Sequence, residues 1–218
     1  MPPQAKSLVE RSSDRIFILL CNCFSAALSL ASCYEIEELV MTTAAATQLA
    51  IPVTNRDHIR GLRSAAVTLV GYGDYACPHC NEARFVVKQL HAALGDRLRY
   101  VFRNFPLSTP YSNPHHAAEA AEAAGAQNKF WEMHDFIYDH QLALSNKHLK
   151  VYATQVGLDM ERFNLDMILH THALRVHEDI LSAGQSGVST TPAFFINDSR
   201  YVGPCNFETL LSHMEKFA

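Results

Sequence analysis

Cys77-Pro78-His79-Cys80 is the part of this chain best equipped for chemistry. Two cysteines separated by two residues can close a small disulfide ring. The pair sits where an apolar run, Val67-Thr68-Leu69-Val70, gives way to a helical pattern, a context that favours a redox pair over a metal site. The attacking species in disulfide exchange is a thiolate, so the first cysteine needs a lowered pKa. A helix N-terminus supplies that through unpaired N–H groups and the positive end of its dipole. Cys77 falls at that position. Cys80 lies one turn further in, less exposed and able to attack a mixed disulfide on Cys77. Pro78 fixes the turn without removing a needed donor, and His79 can add positive charge or a hydrogen bond beside the thiolate. The competing readings of the pair are buried structural cysteines or a metal module.

The surrounding elements are legible from periodicity. Val67 to Val70 or Tyr72 reads as a strand, broken by Gly71 and Gly73. A helix is expected from the cysteine pair through Phe85-Val86-Val87 and Leu90 to Leu94, stopped by Gly95-Asp96. A second strand, Leu98 to Phe102, completes a parallel, right-handed βαβ unit. The period then becomes helical. Asn113 can cap a helix with Pro114 in its first turn, and Ala117 to Ala126 is rich in alanine and glutamate. Further helices are expected around Phe130 to Tyr138, Lys147 to Gly157, Met160 to His170 and Ala173 to Ala183, together an inserted helical subdomain over about 113–186. Strand character returns at Ala193-Phe194-Phe195-Ile196. Asn197-Asp198 then turns the chain into Arg200-Tyr201-Val202, ahead of a last amphipathic helix with Phe207, Leu210, Leu211, Met214 and Phe217 on one face.

The combination Gly73-Asp74-Tyr75, Cys77-Pro78-His79-Cys80, Arg103-Asn104-Phe105-Pro106-Leu107, Phe130-Trp131-Glu132-Met133-His134 and Thr191-Pro192-Ala193-Phe194-Phe195-Ile196-Asn197 resembles the DsbA-like thiol:disulfide oxidoreductases over about residues 51–218. The resemblance implies an α/β, thioredoxin-like fold: a central mixed sheet with an inserted helical subdomain. It makes Cys77 the nucleophile, Cys80 the resolving thiol, and Thr191-Pro192 a cis-proline loop that faces the site and pairs with substrate backbone. It implies protein thiols and disulfides as substrates, no cofactor beyond the Cys77–Cys80 disulfide, and for an exported oxidase a membrane partner for reoxidation. The Pro-His filling matches DsbA itself and points to an oxidase. The alternatives are a cytosolic reductase or isomerase, a metal-binding module, and a chaperone-like thioredoxin-fold domain. In one respect the chain departs from the pattern. Many relatives carry a buried acidic residue six positions before the first cysteine, which manages protons for the resolving thiol; here that position is Gly71. Asp74, on an extended strand, would face the other way.

Residues 1–50 differ from the rest. Lys6, Arg11 and Arg15 precede an apolar stretch from Ile16 to Leu30, then Leu30-Ala31-Ser32-Cys33, a pattern of a bacterial export signal or of a lipid anchor on Cys33. That reading places the protein in the cell envelope, periplasmic or lipid-anchored; the alternative is translation from Met41 and a cytoplasmic protein. The net charge of −4 offers no electrostatic case for nucleic acid. Gly71-Tyr72-Gly73-Asp74-Tyr75-Ala76 imitates a dinucleotide fingerprint, but the cysteine pair already occupies the helix start and no acidic residue follows a second strand at the required distance. No metal site is expected. His115 and His116 are adjacent on a helix and do not share a face, and read as solvated surface histidines. Trp131 is expected to pack the insertion onto the core, and Cys205 is read as a plain small residue.

Overall fold

Alternation along the strands builds the molecule around a sheet with two covered faces. In a computed structural model that describes residues 47–217, five strands run in the order β1 (His58–Arg60), β3 (Leu98–Asn104), β2 (Val67–Gly73), β4 (Ala193–Ile196) and β5 (Ser199–Tyr201). β2 and β3 are parallel, with Val67 opposite Leu98 and Gly73 opposite Asn104. The other pairings are antiparallel. Helix α1 (Pro78–Leu94) and a 3-10 turn, Gly95–Arg97, connect the parallel pair. Five helices follow between β3 and β4: α2 (Asn113–Gly125), α3 (Phe130–Asp139), α4 (Asn146–Val156), α5 (Met160–Leu169) and α6 (Ala173–Gln185). Helix α7 (Phe207–Met214) closes the fold against α1. No helix among the described residues is long and apolar enough to cross a membrane. The export, lipid-anchor and Met41 readings fall on residues outside those described.

The two faces divide by residue parity. Leu69, Phe194 and Ile196 join the core formed with α1 to α7, whereas Val70, Tyr72, Ala193 and Phe195 join a second core that includes Ala183 of α6. α2 is covered on nearly every side, with Ala117, Ala118, Ala120, Ala121, Ala123 and Ala124 all buried. Small side chains at those positions let α3, α5 and α6 approach its backbone closely, which accounts for the alanine bias.

Some local expectations change. Gly71 does not break β2; the strand runs through it and ends at Gly73. Both glycines are sites of close approach. A Cβ on Gly73 would lie 2.6 Å from Phe102 Cε2, and one on Gly71 would lie 3.0 Å from both Phe194 Cε1 and Tyr100 Oη. Ser112, not Asn113, precedes the first turn of α2, and its hydroxyl is engaged by Ser108 Oγ at 2.7 Å rather than by the helix backbone. The hairpin turn at Asn197-Asp198 is confirmed, both residues having positive φ, 45° and 67°. Strand β1 has no signal in its three residues, His-Ile-Arg; it forms because β3 presents a free edge.

Candidate active site

The segment between β2 and α1 fixes the cysteines. β2 ends at Gly73, and Asp74 starts a tight turn in which its Oδ1 accepts from the Ala76 N–H at 2.8 Å and its C=O from the Cys77 N–H at 3.1 Å. The other carboxylate oxygen accepts from the Leu107 N–H at 3.0 Å, tying the turn to the loop after β3. Gln141, in the loop after α3, donates to Tyr75 O at 2.8 Å and Cys77 O at 2.7 Å. Cys77 is the N-cap of α1 in extended conformation, and Pro78 occupies the first turn, where its missing N–H costs nothing. Asp74 therefore shapes the turn and is not an acid for the resolving thiol. The expectation that Asp74 lies on an extended strand is overturned, since β2 ends one residue earlier; Gln141 gave no local signal.

The two thiols have different surroundings. Cys77 is half-buried and its Sγ lies 3.5 Å from the Thr191 carbonyl oxygen. The Thr191–Pro192 peptide bond is cis. The structure thus brings together Cys77, Cys80 and the Thr191-Pro192 loop, 114 residues apart in sequence. Cys80 is 5% exposed. Burial pushes its thiol up to about 12, only partly offset by the Asp74 N–H, 3.5 Å from Sγ, and by the Thr191 hydroxyl. His79 points outward, with its side chain 78% exposed and its Nδ1 3.3 Å from Glu82 Oε2; among the described residues it makes no hydrogen bond to Cys77.

Beneath Cys80 lies a cavity of about 20 Å³, bordered by Gly71, Cys80, Tyr100, His134, Tyr138 and Pro192 among others. That volume admits about one water molecule. Where an acidic side chain at position 71 would enter, the Tyr100 hydroxyl stands instead. Burial, with the nearby Cys80 thiolate as a further cause, raises the Tyr100 pKa, so it is a neutral hydroxyl. Burial likewise drives His134 well below its ordinary pKa, leaving a neutral ring whose Nδ1 meets the Tyr75 hydroxyl at 3.0 Å. Tyr100 is a site residue the sequence did not disclose, since its role depends on a diagonal contact between neighbouring strands. A cavity of about 550 Å³ lies elsewhere, among Asp57, Arg103, Arg175 and Asp179, and neither Cys77 nor Cys80 borders it.

Trp131 packs as expected, its Nε1–H donating to Ile59 O at 3.1 Å and its ring 5.7 Å from that of Tyr100. Cys205 is exposed. His115 and His116 are half-buried rather than solvated.

Residues 53–216 match the thioredoxin family. A Na(+)/H(+) antiporter NhaA 1 of Salinispora arenicola is 44% identical over 163 residues, which make up 74% of this chain and 25% of the antiporter. The chain spans about a quarter of the length of the curated relatives it matches. Among solved structures, a thioredoxin-like oxidoreductase from Silicibacter pomeroyi superposes with a TM-score of 0.64 at 25% identity, covering 75% of this chain and 92% of that one. Oxidised BdbD from Bacillus subtilis gives 0.69 at 21% identity, covering 79% and 96%. The chain belongs to the thioredoxin family, with the fold of its DsbA-like thiol:disulfide oxidoreductases.

Proposed function

We propose that this protein exchanges disulfides with protein substrates through Cys77 and Cys80, and that it works as an oxidase. The observation that carries the reading is the asymmetry of the pair. One sulfur is accessible at a helix N-terminus beside the Thr191-Pro192 loop; the other is buried one turn behind it.

In the oxidising direction a substrate thiolate attacks Cys77 Sγ of the Cys77–Cys80 disulfide. The S–S bond breaks, and its electron pair leaves on Cys80, which takes up a proton. A second substrate thiolate then attacks the substrate sulfur of the mixed disulfide and expels Cys77 as a thiolate. The substrate loses two electrons and the cysteine pair gains them. Cys77 leaves at the N-terminus of α1, where a helix presents unpaired N–H groups. The cis-proline loop would hold substrate backbone beside Cys77. His79 and Pro78 complete the ring. Reoxidation would fall to a membrane redox partner if the domain faces the cell envelope. Antiport is named for relatives of which this chain spans about a quarter, and the cysteine pair carries the reading for this chain.

Cys77→Ser is expected to abolish exchange, and Cys80→Ser to trap substrates as mixed disulfides on Cys77. Retention of full activity by Cys77→Ser would overturn the reading. Equilibration with glutathione decides direction: a potential around −120 mV marks an oxidase, and one around −270 mV a reductant.

A further inference from the structure

A second cluster lies in the helical insertion, outside the cysteine site. His116 and Glu119 are one turn apart on α2 and share a face. His170, the left-handed residue that ends α5, reaches the same place from the other side. One ligand atom from each, two imidazole nitrogens and a carboxylate oxygen, lie within 4.8 Å of one another. Glu119 is 3% exposed, and its Oε2 meets His170 Nδ1 at 2.9 Å. That contact gives the carboxylate one partner. The His116 ring stacks on that of His170 at an interplanar angle of 28°, and among the described residues its nitrogens have no side-chain hydrogen bond.

The geometry points to a three-ligand site for a divalent first-row metal ion, of the zinc class, held by His116, Glu119 and His170. Two imidazoles bound at about 2.1 Å to one tetrahedral ion have ring centroids about 5 Å apart. The His116 and His170 centroids are 5.6 Å apart. Ligand atoms around such an ion stand about 3.4 Å from one another, so closure requires movements on the order of 1 Å, within reach of two half-buried histidines. A His₂-carboxylate set leaves a fourth position open. A cavity of about 350 Å³ is bordered by both histidines, Asn146 and Lys150, while Glu119 borders a separate one. Adjacency of His115 and His116 argued against a metal in the sequence. The structure separates them: His115 borders a different cavity, with Tyr111 and His177. The bound ion would tie α2 to the end of α5 and neutralise the buried carboxylate.

The test uses the full chain with Cys77 and Cys80 held as their disulfide and with Cys21, Cys23, Cys33 and Cys205 alkylated, so that no thiol can bind metal. Calorimetric titration with Zn(II) is expected to show one ion per chain, and Co(II) to give the visible absorption of a tetrahedral site. His116→Ala and His170→Ala are each expected to weaken Zn(II) binding at least tenfold while keeping the circular dichroism of the parent. Neither should alter the glutathione equilibrium of the cysteine pair, which separates this site from the redox reading. Failure of the oxidised protein to bind stoichiometric Zn(II), or equal binding by the two alanine variants, would overturn the assignment.

Discussion

At the residue scale, the proposed chemistry turns on protons at Cys80. Its thiol is raised by burial to about 12, so at neutral pH it is protonated and only a minute fraction can attack. Resolution of a mixed disulfide on Cys77 requires that fraction. With a thiol pKa far above the working range, the thiolate population grows about tenfold for each pH unit. Release of glutathione from a preformed Cys77 mixed disulfide is therefore expected to accelerate about tenfold per unit from roughly pH 6 to 9, with no levelling, in a stopped-flow measurement. A plateau near pH 7 would show a Cys80 thiolate stabilised by some group that the cavity beneath it does not display. Among the described residues lining that cavity none is a carboxylate.

At the element scale, the reason is the way β2 meets β3 and β4. Gly71 is tightly enclosed by Phe194 and Tyr100, and any side chain there would have to displace one of them. Gly71→Glu is expected to destabilise the fold by about 1–3 kcal/mol through overpacking. Adding Tyr100→Ala should recover much of that loss, because it empties the space the new side chain needs. Denaturant titration of the two single variants and the double variant forms the cycle; simple additivity would show that the two positions do not compete. This is also where sequence reading ran out. The helix α1, both parallel strands and the helices between β3 and β4 were legible because each carries its own period. The cysteines were legible because their chemistry is set by adjacent positions. Tyr100 against Gly71, Gln141 on the Cys77 carbonyl, and Glu119 between two histidines are contacts between elements, and no local pattern encodes them. The glycines of β2 were read as breakers for the same reason: what they meet belongs to other strands.

For the whole molecule, the stability of the sheet depends on a buried ion pair on the face opposite the cysteines. Arg103 Nε donates to Asp57 Oδ1 at 2.8 Å, with both side chains under 5% exposed. The guanidinium also donates to Ile51 O, Pro52 O and the Tyr72 hydroxyl, so it joins the segment before β1 to β2 and β3. Burial by itself would raise the Asp57 carboxyl. The Arg103 hydrogen bond, the Thr54 N–H and the charges of Arg103 and Arg175 together outweigh it and hold the carboxyl below the usual range. A carboxylate depressed in the folded state contributes stability that is present above its unfolded pKa of about 3.9 and is lost as pH falls through the lower folded value. The pair should thus contribute in full at neutral pH and fail only below about pH 4. Asp57→Asn leaves Arg103 as a buried charge without its counterion, and is expected to cost about 3–5 kcal/mol at pH 7. The same variant should show a shallower loss of stability between roughly pH 4 and pH 2 than the parent, because one depressed carboxylate no longer titrates. Urea melts at pH 7 and across that acid range test both parts. A variant as stable as the parent at pH 7, or with an unchanged acid limb, would mean that the backbone carbonyls and Tyr72 suffice to hold Arg103.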